Sequence, residues 1–252
     1  MNHPIITIKT YILLITISLG LGACSNTTTK PKPEKNTAAQ YNARLGAEYT
    51  RTGRLTLANE KLQKALQQNP NSAEAHHYYA LLQQQLEQTA LADKHFRRAM
   101  QLTPKDPQLL NNYGSHLCKN GHYQAASKLF MAALNDPLYT TPEFAYTNAG
   151  ICIKKSGNTQ QAEKYFRKSL EVKPSFSSAL YQMALLEFEQ GDYARAQAFL
   201  QRYHEKHREA AETLSLCVKI NSKLGDFDTA EQCNNKLAGR FPGNKQFAEF
   251  GS

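Results

Sequence analysis

Small and apolar positions recur along this chain on one beat. Gly46, Ala80, Gly114, Gly150, Ala184 and Val218 are separated by 34, 34, 36, 34 and 34 residues, and Ala58, Ala92, Ala126, Ala162, Ala196 and Ala230 each follow twelve residues later. Leu62, Phe96, Phe130, Phe166 and Leu200 keep the same register beside the second series. Each unit thus carries two close-packing points on two successive segments, which predicts a helical hairpin. One hairpin cannot bury its apolar stripe alone, whereas stacked hairpins share a continuous core through nearest-neighbour contacts. Gly53, Gly121, Gly157, Gly191 and Gly225 fall between the two helices of a unit, where a residue tolerant of left-handed φ ends the first helix. Pro70, Pro104, Pro174 and Pro242 close units. The interval of 36 comes from extra residues around Asp136-Pro137-Leu138-Tyr139-Thr140-Thr141-Pro142, a lengthened turn stiffened by two prolines.

Leu45, Gly46, Tyr49, Ala58, Leu62, Ala65 and Pro70 reproduce the tetratricopeptide register, and Ala80, Ala92, Phe96, Ala99 and Pro104 repeat it. The resemblance implies an all-α fold, a right-handed superhelix (α-solenoid) of six hairpins whose first helices line a concave docking face. The array runs from about Ala39 to Gly243 and leaves no room for a second globular domain. Its last unit departs most, with Val218, Asn221 and Asn234 at small or apolar positions, as terminal repeats do when one face meets water. Residues 39–252 are therefore read as six repeats with a C-terminal cap. The tail Gln246-Phe247-Ala248-Glu249-Phe250 either covers the open end of the stack or is a frayed terminus.

Residues 1–23 contain one charged side chain, Lys9, ahead of an apolar run from Tyr11 to Leu21. This reads as a secretory signal, too short to span a bilayer comfortably. It ends Leu21-Gly22-Ala23-Cys24, which resembles the lipobox of bacterial lipoproteins and makes Cys24 the lipidated first residue. By the same resemblance Ser25, which is not Asp, favours the outer membrane. Residues 24–38 form a tether: the stretch from Ser25 to Thr37 is polar and proline-bearing, cannot bury enough surface to fold, and extended would reach on the order of 40 Å.

Beyond Cys24 there are four cysteines, Cys118, Cys152, Cys217 and Cys233, in a compartment where disulfides persist. Four cysteines allow three connectivities. Register favours Cys118 with Cys152, near the ends of consecutive first helices, and Cys217 with Cys233, on the two helices of the final repeat. The alternative is buried free thiols acting as small apolar residues. The net charge of +9 becomes +8 once Lys9 leaves with the signal. Such a surplus points to nucleic acid in an intracellular protein, but a periplasmic address removes that partner. No Lys/Arg run is long enough to mark a site, so the charge reads as a solvated face.

His204-Glu205-Lys206-His207 places two histidines one turn apart, yet the rest of a metal set is missing; of His76 and His77, one faces the neighbouring repeat and the other the groove. With no phosphate loop, nucleophile elbow or paired carboxylates, the chain reads as a binding scaffold, not an enzyme, without cofactor or metal. The fifth, ninth and twelfth positions of each unit point into the concavity. In the fourth and fifth units these are Thr147, Ile151, Lys154, Tyr181, Leu185 and Phe188, with Phe144 at the rim, an apolar groove suited to a hydrophobic partner segment. The alternative is inward packing against the adjacent repeat. The second and third units offer the more polar His77, Leu81, Gln84, Asn111 and Ser115, while Asn112 and Asn148 read as inter-helix hydrogen-bonding residues. Ala43 and Ala47 stand where chaperone-binding members carry a carboxylate-gripping Lys/Asn pattern, which disfavours a chaperone adaptor.

Taken together, Cys24, the polar tether, Asn111-Asn112-Tyr113-Gly114 with Cys118, Leu134-Asn135-Asp136-Pro137-Leu138-Tyr139 with Pro142, and Asn148-Ala149-Gly150 with Cys152 resemble the PilF/PilW family of type IV pilus biogenesis lipoproteins. The resemblance implies a pilotin: a monomer, lipid-anchored through an N-acyl diglyceride on Cys24 and facing the periplasm. It would engage the lipoprotein sorting machinery and bind the type IV pilus secretin, bringing it to the outer membrane and promoting its multimerisation. It also supports pairing of Cys118 with Cys152. A scaffold lipoprotein of the same architecture, recruiting cell-wall or outer-membrane assembly proteins, is the competing reading.

Overall fold

The computed structural model describes residues 35–242, which form twelve α-helices and no strand. They are α1 (Lys35–Arg51), α2 (Leu55–Gln68), α3 (Ala73–Gln85), α4 (Thr89–Leu102), α5 (Pro107–Lys119), α6 (Tyr123–Leu134), α7 (Pro142–Lys155), α8 (Thr159–Val172), α9 (Ser177–Glu189), α10 (Tyr193–Lys206), α11 (Ala211–Leu224) and α12 (Phe227–Arg240). Each odd-numbered helix pairs with the helix that follows it and packs against the next odd-numbered helix, so six hairpins stack into an all-α tetratricopeptide solenoid.

The recurring small residue sits where two helices nearly touch. A Cβ added to Gly150 would lie 2.5 Å from the Phe166 ring. Phe96, Phe130 and Phe166, with Leu62, are fully buried at equivalent points along the stack. The turns within the hairpins repeat too. Five carry a glycine with positive φ, and the second hairpin forces Glu87 into the same conformation at φ 59°.

Between hairpins, polar side chains close the helix starts. Ser72 accepts from the Ala75 N–H, and Asp106 from those of Gln108 and Leu109. Equivalent basic residues of second helices reach back to the preceding turn: Arg98 to Asn71, Arg202 to the Pro174 carbonyl at 3.0 Å, and Lys236 to Glu209 at 2.8 Å. The turn between the third and fourth hairpins spans residues 135–141, against 69–72 for the first, and α6 is correspondingly short at 12 residues. Tyr139 anchors this turn by burying its ring on Leu110, Ala133 and Ala145, while Leu138 stays exposed.

The array starts earlier than the periodicity indicates. Residues 35–38, expected in the tether, are the first turn of α1, where Asn36 accepts a hydrogen bond from Asn69 and Ala39 is already buried. The signal segment, Cys24 and the tail from Gln246 to Phe250 lie outside the described residues. In the final hairpin the atypical Asn221 is buried, accepting from Gln197 (2.7 Å) and donating to the Cys217 carbonyl (2.8 Å), which ties α11 to α10.

Candidate functional site

The concave face is lined by α1, α3, α5, α7, α9 and α11, and its two halves differ in chemistry. In the fourth and fifth hairpins Ile151, Tyr181, Leu185 and Phe188 are half-buried. Ile151 leans on the core beneath α7–α9, and the other three on the cluster that holds Leu216, Val218 and Ile220. They serve the packing between repeats with one side and leave the other to the groove, so groove and inter-repeat contact are not alternatives here. Phe144 is 45% exposed at the rim, its ring edge-on to Phe176 at 4.7 Å. Lys154 crosses to Glu189, Nζ to carboxylate 2.6 Å, which matches its charge within the groove.

Thr147 is a correction. It is 1% exposed, its hydroxyl donates to Ser169 of α8 at 2.9 Å, and Ser169 donates onward to the Glu143 carbonyl. The reason is register: three residues before Gly150, Thr147 shares the helix face that turns toward α8. The fifth positions of the earlier hairpins, Ala43, His77 and Asn111, are likewise buried.

A cleft of about 220 Å³ opens beside Tyr181, walled by Tyr203, Ala210, Thr213 and Glu212 with Ser177 and Ser178. Tyr203 comes from a second helix, so a count of groove positions on first helices alone misses it. Burial, aided by Glu212 and Glu189, raises the Tyr181 hydroxyl pKa, which keeps it a neutral hydrogen-bonding group.

In the second and third hairpins the face is polar. A recess of about 560 Å³ runs between α1, α3 and α5, lined among others by Gln40, Arg44, His77, Tyr78 and Gln108. Asn112 contacts His77 at 2.9 Å, and Asn148 donates to Asn111 at 3.0 Å, each joining adjacent first helices. Leu81 leans on the core around Phe96, Ser115 donates to the Asn111 carbonyl, and Gln84 takes the His116 ring nitrogen at 3.1 Å. His76 joins its own hairpin's second helix to the preceding unit's turn, its Nδ1 2.8 Å from His95 Nδ1 and its Nε2 3.0 Å from the Pro70 carbonyl.

Cys118 at the end of α5 is bonded to Cys152 of α7, and Cys217 of α11 to Cys233 of α12, with Cα separations of 5.6 and 6.1 Å. His207 holds the Ser175 carbonyl at 2.6 Å. Among the described residues no three His, Cys, Asp or Glu side chains gather at metal-binding distance, and no helix is long and apolar enough to cross a membrane.

Comparison with known proteins agrees with this geometry. The tetratricopeptide repeat family model matches residues 154–220 and 187–250. The type IV pilus assembly protein PilF of Pseudomonas aeruginosa is 28% identical over 243 residues, covering 94% of this chain and 96% of its own. Its solved structure superposes with a TM-score of 0.74 over 86% of this chain and 97% of that one. The structure of PilW, described as a widely conserved type IV pilus biogenesis factor, superposes with a TM-score of 0.76 at 29% identity, over 84% of this chain and 97% of that one.

Proposed function

We propose that this tetratricopeptide repeat protein of type IV pilus biogenesis is a pilotin, an outer-membrane lipoprotein that binds secretin subunits and promotes their localisation and multimerisation. One observation carries the reading: the correspondence with PilF covers 94% of this chain and 96% of that one in sequence, and 86% and 97% in fold. The groove supplies the physical means. Tyr181, Leu185 and Phe188 present half-buried apolar faces, with a cleft opening beside Tyr181, which suits an apolar helix or strand of a partner. In this mechanism residues 1–23 direct export, and acyl chains on Cys24 enter the lipoprotein sorting route. The groove holds a secretin segment, and the two proteins reach the outer membrane as one cargo. Stable anchoring takes more than one acyl chain, which an N-acyl diglyceride cysteine provides. No catalytic step is part of the reading.

The experiment is outer-membrane secretin multimer content, by membrane fractionation and unheated gel blot, in a strain deleted for the gene. Multimers should vanish and return with the wild-type gene, but not with Cys24→Ala. Normal multimers and pili in the deletion strain, or in Cys24→Ala, would sink the mechanism and turn attention to a cell-wall scaffold.

A further inference from the structure

The positive charge of this chain forms no run in the sequence, but the fold gathers it on one side. Second helices pack on first helices and leave their other side to the outside of the stack. Lys94, Lys128 and Lys164 each stand two residues after a fully buried alanine, Ala92, Ala126 and Ala162. Two residues are about 200° of helix rotation, so these lysines point directly away from the core, and all three are exposed. Arg98, Lys168 and Arg202 stand six residues after Ala92, Ala162 and Ala196, one turn along on the same side. The six make two basic rows across the outer side of α4, α6, α8 and α10. By contrast α3 and α9, which line the groove, carry no Lys or Arg.

These charges are unanswered within the chain. Among the described residues none of the six forms an ion pair, while Asp93 of α4 and Glu163 of α8 are taken by Arg97 and Arg167 at 2.7 Å. Arg98 donates to Asn71 and Arg202 to the Pro174 carbonyl, both neutral, and Lys168 Nζ lies over the rings of Tyr146 and Tyr165. Lys94 with Arg98, and Lys164 with Lys168, are like charges one turn apart, which repel each other. An anionic partner would relieve that repulsion. The form of the charges says which partner. A single carboxylate or phosphate is best gripped by an arginine fork or inside a cavity, yet Arg97 and Arg167 are occupied and none of the six lines either recess described above. Exposed lysines on flexible stems, spread over several helices, suit a fluid sheet of phosphates.

We propose that the outer face of the stack along α4, α6 and α8 lies on an anionic phospholipid surface, while the concave face stays free for the protein partner. The inference rests on the lipid-anchored reading above and adds to it. The acyl chains decide which membrane holds the protein; the basic rows decide which way the stack lies on it.

The test is co-flotation of the full mature chain carrying Cys24→Ala, so that no acyl chain contributes, with vesicles of phosphatidylcholine alone or with about 30% phosphatidylglycerol. The chain should partition onto the anionic vesicles only. Lys94→Gln, Lys128→Gln and Lys164→Gln together should lower that partitioning roughly a hundredfold, since each lysine near such a surface is worth about fivefold. Lys155→Gln, Lys219→Gln and Lys223→Gln, which remove the same charge from first helices, should cost less than about tenfold. Equal losses in the two triple variants mean attraction by net charge alone and overturn the inference, as does a wild-type face that ignores anionic vesicles. An outer triple variant that keeps vesicle binding also overturns it, and loss of the secretin subunit in that variant would reassign the face to an acidic protein surface. Thermal melts check folding. Should the outer triple variant fail to fold, salt decides: partitioning of the unsubstituted face that does not fall between about 50 and 500 mM salt overturns the inference. The lipid-anchored reading fails separately, if the wild-type protein is missing from the membrane fraction.

Discussion

Arg195 Nη2 lies 2.7 Å from Glu187 Oε1, a carboxylate oxygen that solvent does not reach. Glu187 belongs to α9 and Arg195 to α10, and Arg167 and Glu163 of α8 complete the group, with Arg167 to Glu163 at 2.7 Å and Arg195 to Glu163 at 3.7 Å. The cluster thus joins the fourth hairpin to the fifth. Burial raises the Glu187 pKa and Arg195 opposes it, so the guanidinium is what makes a charged carboxylate tolerable there. Glu187 is fully buried but Arg195 is half exposed, and Arg167 stays 3.9 Å from the same carboxylate, so removing Arg195 leaves Glu187 only partly compensated. Arg195→Ala should cost about 1–2 kcal/mol in urea unfolding, below the loss for a pair buried on both sides, whereas Glu187→Leu, which removes the buried charge itself, should be near neutral. Equal losses in both variants would contradict this account.

Acid should loosen the second hairpin first. Burial lowers the pKa of His77 and His95 to about 4, and those of His76 and His116 in the same direction. A histidine whose folded pKa is depressed takes up its proton later than the unfolded chain does, so unfolding gains protons as pH falls. Stability is therefore complete above the ordinary histidine value of about 6.5 and is lost between there and about 4. His77, being deeply buried, accounts for about 3 kcal/mol of that loss at the acid end, and half-buried His95 for less. Urea midpoints measured from pH 7.5 to 4.5 should fall steeply, and His77→Phe should flatten the curve.

Glu87 marks a place where the chain departs from its own rule. Every other intra-hairpin turn spends a glycine on positive φ, and this one holds a side chain there. A non-glycine residue in the left-handed region costs roughly 1–2 kcal/mol, of which the added freedom of glycine in the unfolded chain returns part. Glu87→Gly should stabilise the protein by about 0.5–1 kcal/mol. Thermal melting reads this directly, and a lowered midpoint would refute it.

The two cysteine bridges enclose separations of 34 and 16 residues. Loop-closure entropy alone assigns each about 3 kcal/mol or slightly more. Replacing Cys118 and Cys152 together by alanine should lower unfolding free energy by roughly 2–4 kcal/mol, and a reductant should destabilise the wild type but have less effect on that variant. Peptide mapping under non-reducing conditions checks the connectivity itself.

The architecture is legible in the sequence because each hairpin restates it. A spacing that places Gly150 against Phe166 also places Ala80 against Phe96, so one packing solution is written five times, the final hairpin departing from it with Asn234. The groove is harder to read. Helix periodicity assigns Thr147 to the concave side, yet whether a fifth-position residue meets solvent or the second helix depends on how closely two hairpins approach, which Thr147, Ser169 and Gly150 settle jointly in three dimensions. Tyr203 is missed for a related reason: it reaches the concave cleft from a second helix. Tyr139 reads as part of a loop, since a lone aromatic in a proline-bearing turn carries no period, although its ring is what seats that turn.

The bond between α5 and α7 changes how the stack carries load. In a solenoid each hairpin leans only on its neighbours, so peeling from either end proceeds one unit at a time. The junction between the third and fourth hairpins has the longest connecting turn, residues 135–141. The Cys118–Cys152 bond runs parallel to that turn and shorter than it, so a pull along the chain passes through sulfur and leaves residues 135–141 slack. A stack pulled from its two ends would keep its central seam shut while outer hairpins yield.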